Sequence, residues 1–170
     1  MKNWRQSAIL TIGILPDRRL GNPMAEHQPV IENVFRKLGG HSALGTDVFS
    51  DADLARVVHR GIHLKVLDHL ARAGFSKQEI HTFVIPARTW RHRAARKEPL
   101  TIEESDRVVR LARIQASAED VFGDKPKANR WLREPLGVLD GKAPLELAQT
   151  ESGARLIEQL LAKIDWGAAA

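Results

Sequence analysis

Cysteine is absent from all 170 residues, which excludes disulfides, thiol nucleophiles and cysteine-ligated zinc and fits a reducing compartment. No apolar run approaches the roughly 20 residues that a membrane-spanning helix needs. The apolar patch within MKNWRQSAILTIGILPDRR is broken by Pro16, Asp17 and Arg18 too early for a signal peptide. We therefore expect a cytoplasmic protein with no membrane partner. The two-residue alternation of strands is nearly missing, so an all-α fold is expected. A catalytic constellation is missing too. Glu103 and Glu104 fall in a helix-opening turn, where their charge favours the helix dipole. His59 and His63 straddle Gly61 with no third ligand placed, and Gly39, Gly40 and Gly45 lack the Lys-Ser/Thr that completes a phosphate loop. The expectation is a non-enzyme with no cofactor and no metal.

What is present is a core and a concentrated charge. Hydrophobic residues make up 43% of the chain, enough for a folded interior, and the length admits one or two domains. The formal net charge of +5 sits in one block: residues 54–113 hold thirteen Lys/Arg against six Asp/Glu, whereas residues 1–53 and 124–170 are balanced. Between Arg88 and Lys97 there are five Lys/Arg and no acid. This points to contact with nucleic acid in the middle of the chain, against the plainer reading of a solvated basic helix face.

Residues 1–40 carry one extended helical signal, the first 25 residues are expected to be partly disordered, and from Asp51 the helices are well punctuated. PVIENVFRKLGG places Val30, Ile31, Val34, Phe35 and Leu38 at helical spacing before a Gly39-Gly40 stop. Asp51 or Asp53 is the expected cap of ADLARVVHR, which Gly61 ends. LKVLDHLARA follows with Leu64, Leu67, Leu70 and Ala71 on one face. Ser76 with Glu79, and Thr101 with Glu104, form two capping boxes that open KQEIHTFV and IEESDRVVRLARIQASAEDVF. Asp124 is the expected cap of KPKANRWLR, whose Trp131 is assigned to the core, and Thr150 that of ESGARLIEQLLAKI. In the last of these Ala154, Ile157, Leu160, Leu161 and Ile164 form a stripe that should pack on Trp131 and Leu145 or on a partner chain.

Two short helices joined by a tight turn at residues 84–86 make a helix-turn-helix pattern, with Ile80 and Val84 inward and Trp90 turning the apolar side of the second helix inward. Its second member spans residues 87–96. Arg88, Thr89, Arg91, His92, Arg93 and Arg96 are then the candidates for a groove or its phosphates. Ser76 and Gln78 are candidates for phosphate contact at the start of the first helix, where Ser76 is also a cap. Arg107, Arg110 and Arg113 are expected to pair with Glu103, Glu104 and Asp106 along their own helix.

The segments LGG at 38–40, RTWRHR, PLTIEESDRVVRLARI, VFGD, ANRWL, LDGKAPLEL and TESGARLIEQLLAKIDWG resemble, in order and spacing, the Xre/MbcA/ParS-type antitoxins, partners of RES-domain toxins. The similarity covers roughly residues 38–170. It implies an Xre-like helix-turn-helix domain over 51–118 and a helical toxin-binding domain over 119–170, before which we expect a partly flexible N-terminal segment over 1–50. It also implies an NAD-consuming RES-domain toxin as partner, whose active-site entrance is covered by the C-terminal region, and operator DNA bound to autoregulate the operon. Arg155, Ile164, Asp165, Trp166 and Gly167 are the toxin-binding candidates by that resemblance. Paired half-sites imply a homodimer. Two departures stand out: Pro86-Ala87 replaces the usual Ser-Pro before Arg-Thr, and Val84 occupies a turn position where glycine is common and where positive φ would strain it. The alternatives are a stand-alone helix-turn-helix regulator whose C-terminal module dimerises or senses a ligand, and an interaction scaffold with no DNA role.

Overall fold

A computed structural model describes residues 27–167, so the disorder expected for the first 25 residues falls outside it. Among the described residues the fold is all-α. Its elements are α1 (His27–Lys37), α2 (Gly40–Leu44), α3 (Asp51–Arg60), α4 (Val66–Ala73), α5 (Lys77–Phe83), α6 (Ala87–Arg96), α7 (Ile102–Phe122), α8 (Lys125–Trp131), a 3-10 turn (Gly137–Leu139), α9 (Pro144–Leu147) and α10 (Glu151–Asp165).

The caps anticipated for α5, α7, α8 and α10 are made as expected. Ser76 and Thr101 each accept the N–H of a glutamate three residues on, while that glutamate accepts theirs in return. Asp124 and Thr150 cap α8 and α10. For α3 the cap lies one residue earlier than expected. Ser50 accepts from the Asp53 N–H at 3.2 Å, and the Asp53 carboxylate accepts the Ser50 hydroxyl and the Phe49 N–H. The buried face of α4 is also turned: Val66, Leu67, Leu70 and Ala73 are buried and Ala71 is exposed.

Helix α7 is the spine. Its 21 residues extend about 30 Å, and α1, α3, α4, α8 and α10 all pack on it. This explains why its pattern is less one-sided than that of a surface helix: Val108, Val109, Leu111, Ala112, Ile114, Ala116 and Ala118 are all buried. Ser105 and Gln115 share that interior. The Ser105 hydroxyl accepts the Ile62 N–H at 2.9 Å, and the Gln115 amide donates to Glu119 at 3.0 Å. Glu119 also pairs with Lys37 of α1 at 2.5 Å, and burial pulls the Lys37 ammonium below its ordinary pKa despite that partner. One hydrophobic cluster runs from Val34 to Leu161, so α7 gives the basic middle and the C-terminal helices a common core.

The C-terminal helix α10 packs on α7 and α9 through Ala154, Ile157 and Leu161. Leu160 and Ile164 are only half-buried, as is Trp131, expected in the core, whose ring lies tilted against Phe122 with centroids 5.4 Å apart.

Candidate nucleic-acid interface and partner surface

The turn between α5 and α6 is built without strain. Val84 has φ −111° and is buried with Ile85, so the positive φ suspected from the missing glycine does not arise. The N–H groups of Val84 and Ile85 both reach the Ile80 carbonyl, and Arg107 of α7 donates to the Val84 carbonyl at 3.2 Å. Arg107 therefore braces the turn. Its neighbours divide as well: Arg110 pairs with Asp106 as anticipated and also reaches Gln149 and Glu151, whereas Arg113 crosses to Asp51 of α3 at 2.8 Å.

Pro86 stands at the cap position of α6 with φ −55° and ψ 143°, a conformation its ring favours, and its carbonyl accepts the Trp90 N–H at 2.9 Å. No side chain caps this helix. None of its residues is buried, so its position depends on edge contacts rather than on a core face. Trp90, expected to point inward, is 37% exposed and rests against His81 with ring centroids 5.9 Å apart. His81 in turn lies 3.1 Å from the Ile85 carbonyl through Nδ1.

The structure separates the predicted DNA residues into two groups. The side chains of Arg88, Arg91 and His92 are exposed and make no ion pair or hydrogen bond among the described residues; Thr89 is half-buried beside them. Arg93 instead turns back. Its side chain lies 3.3 Å from Glu104 and 3.8 Å from Glu98 and donates to the Pro99 carbonyl. Arg96 sits 3.7 Å from Glu98 but stays exposed. Ser76 is engaged in its cap, and Gln78 is exposed on the first turn of α5.

Sequence reasoning missed Arg133. From just beyond α8 it grips Glu79 of α5 with two bonds, 2.7 Å from Nε and 3.0 Å from Nη2, and reaches the Gly74 carbonyl. Burial alone would raise the Glu79 carboxyl, but Arg133 and the Ser76 N–H outweigh it and hold the group below the ordinary carboxylate range. Separated by 54 residues, this pair leaves no periodic signal in the chain.

At the other end, Arg155 lies on the exposed side of α10, 3.1 Å from Glu151. The bond to Arg155 draws the Glu151 carboxyl below its ordinary range. Ile164 is half-buried, while Asp165 and Gly167 are exposed. Trp166 is 72% exposed, yet its backbone is fixed by an N–H bond to Ala162 at 3.0 Å. A large aromatic held out from an ordered helix end is a suitable anchor for another protein.

A basic, outward-facing helix-turn-helix is joined through one long helix to a C-terminal segment whose end exposes a large aromatic, the layout of a two-part helix-turn-helix protein. Residues 53–113 match the Antitoxin Xre-like helix-turn-helix domain, and residues 117–167 the Antitoxin Xre/MbcA/ParS C-terminal toxin-binding domain. The chain belongs to the Xre/MbcA/ParS antitoxin family. It is similar to Antitoxin Xre of Pseudomonas putida, 43% identical over 84 residues, a match covering 49% of this chain and 53% of that protein. Antitoxin Xre of Photorhabdus laumondii is 31% identical over 121 residues, covering 69% of this chain and 82% of that one. The Prs ADP-ribosylating antitoxin of Sphingobium sp. is 28% identical over 130 residues, covering 70% and 82%.

Proposed function

We propose that this antitoxin neutralises an NAD-consuming RES-domain toxin by covering its active-site entrance, and that it represses its own operon by binding operator DNA as a homodimer. It acts in the cytoplasm, by binding rather than by catalysis. The observation that carries the first half is Trp166, exposed at the end of the toxin-binding segment on a hydrogen-bonded helix terminus. Ile164, Asp165 and Gly167 adjoin it in the chain and Arg155 lies three turns back on the same helix, while a large exposed aromatic is a favoured interface anchor. The name of the Sphingobium relative couples an antitoxin to ADP-ribosylation, a reaction that draws on NAD, which supports the choice of toxin class.

The second half rests on Arg88, Arg91 and His92, exposed side by side on α6 and paired with no acid among the described residues. The proposed units are residues 51–118 for DNA and 119–170 for the toxin. Co-expression with the product of the neighbouring gene tests the reading: growth and cellular NAD are rescued by the full chain and a stable complex co-purifies. A chain lacking residues 164–170 still folds but fails to rescue. Equal rescue by the shortened chain removes the tail from neutralisation, and absence of toxicity or complex favours a stand-alone regulator.

A further inference from the structure

Arg133 belongs to the toxin-binding segment, yet its guanidinium is spent largely on the DNA-reading helices. All five of its N–H donors are engaged: one fork on the two oxygens of Glu79, a bond to the Gly74 carbonyl at 2.9 Å, and two to Asn129 at 2.9 and 3.1 Å. Its charged carbon lies 5.9 Å from the ring centroid of Phe75, a buried residue. Glu79 is also the residue that closes the capping box of α5. The side chain that starts the first reading helix is thus the one clamped by the C-terminal segment. Asn129 fills the space beside Gly74, where an added Cβ would stand 2.7 Å from its side chain. Since α6 buries no residue, its direction follows from α5, the Val84–Pro86 turn and a few polar edges.

We propose that Arg133 is the positioning residue of the helix-turn-helix, fixing the angle at which α5, and through the turn α6, leaves the core. The inference rests on the DNA-reading assignment of α6 for its functional meaning, but its structural content can be tested apart from it. A two-pronged contact between planar groups sets orientation as well as distance, which a single point charge does not. The toxin-binding segment is on this account a working part of the DNA-reading unit rather than an appendage to it.

The test uses the full chain with Arg133→Met, Arg133→Lys, Glu79→Gln and the double variant Arg133→Met/Glu79→Gln. The readouts are amide hydrogen exchange and titration of a duplex carrying the chain's own promoter region. Arg133→Met is expected to speed exchange across residues 76–96 while α10 keeps its protection. It should weaken duplex binding about tenfold, within the range for residues that couple distant sites, and leave the salt dependence of binding unaltered because no phosphate contact is lost. Arg133→Lys should fall between, and Arg133→Met should add little once Glu79→Gln is present. Wild-type exchange over residues 76–96 in Arg133→Met, or Arg133→Lys indistinguishable from wild type in both readouts, would overturn the proposal. A shallower salt dependence would overturn it too, making Arg133 a phosphate ligand. If the unaltered chain binds no duplex, the DNA-reading assignment falls while the exchange measurement still decides the role of Arg133. Should Arg133→Met fail to fold, Arg133→Lys and Glu79→Gln decide alone, by the same readouts.

Discussion

The arginines of α6 look interchangeable as text and differ in role. Arg88 and Arg91 stand free at the surface, while Arg93 is drawn to Glu104 and Glu98. Replacing Arg88 or Arg91 by Ala should therefore reduce the slope of log affinity against log salt by about 1 each, as expected for one lost phosphate neutralisation. Arg93→Ala should weaken binding with the slope intact and lower the Tm, because it unfastens the helix. Fluorescence anisotropy over a salt series separates the two behaviours, and equal slopes for all three variants would refute the division. Glu158 offers a second test. Burial raises its carboxyl above the ordinary range, Arg113 opposes that, and Glu151 and Asp51 add to it, with Arg155 opposing weakly. A raised folded pKa means the charged form is disfavoured in the fold, so this contribution to stability is full at low pH and lost as pH rises through the raised value. Glu158→Gln should accordingly raise the Tm at pH 7 and give no advantage at pH 4. A lower Tm at neutral pH would show that the Arg113 attraction dominates.

Among the elements, α10 carries the clearest packing constraint. Gly153 stands in the first turn of α10, and because glycine within a helix costs up to about 1 kcal/mol relative to alanine, Gly153→Ala would be expected to stabilise on propensity alone. A Cβ at residue 153, however, would stand 1.9 Å from the Leu147 carbonyl oxygen, a backbone atom that cannot swing away. The substitution should cost about 3 kcal/mol, the upper end for overpacking a tight contact, and thermal or urea unfolding will read it. A neutral result would mean that α9 yields freely. Helices α5 and α7 were legible from sequence because each opens on a capping box whose partners lie three residues apart. At α3 either Asp51 or Asp53 fits the capping rule, yet Ser50 is the cap and Asp53 its responder.

At the scale of the whole molecule, the basic middle and the C-terminal helices share one hydrophobic cluster along α7, and the Arg133–Glu79 clamp joins them again at the surface. We predict a single cooperative unfolding transition by calorimetry, with calorimetric and van't Hoff enthalpies equal. Two resolved transitions would show that the units fold apart. The clamp also has a pH signature. Because the Glu79 carboxyl is held below its ordinary value of 4.5, its contribution to stability is complete above that value and is lost as pH falls through the lower folded value. Acid unfolding should therefore begin at higher pH in Arg133→Met than in the unaltered chain. Coincident acid midpoints would deny the clamp a role in stability.

The order of the longer helices, the capping boxes of α5 and α7, the all-α class and the family were determined by the sequence alone, whereas the short α2 and the cap of α3 were not. Each rests on information carried within a few residues: apolar spacing, caps at i and i+3, glycine stops, and motifs in a fixed order. The division of labour among the charged residues was decided by the tertiary structure. Arg91 and Arg93 stand on opposite sides of one helix, and the approach of the α7 N-terminus makes Arg93 a tie while Arg91 stays exposed. Val84 takes an ordinary negative φ because Ile80, Ile85 and Arg107 shape the turn around it, so the glycine rule did not apply. Trp90 stays half out because α6 lies against His81 rather than in the core. The bond from Arg133 to Glu79 spans 54 residues. No local preference encodes such a distance; it exists because the basic middle and the C-terminal helices pack on one core along α7.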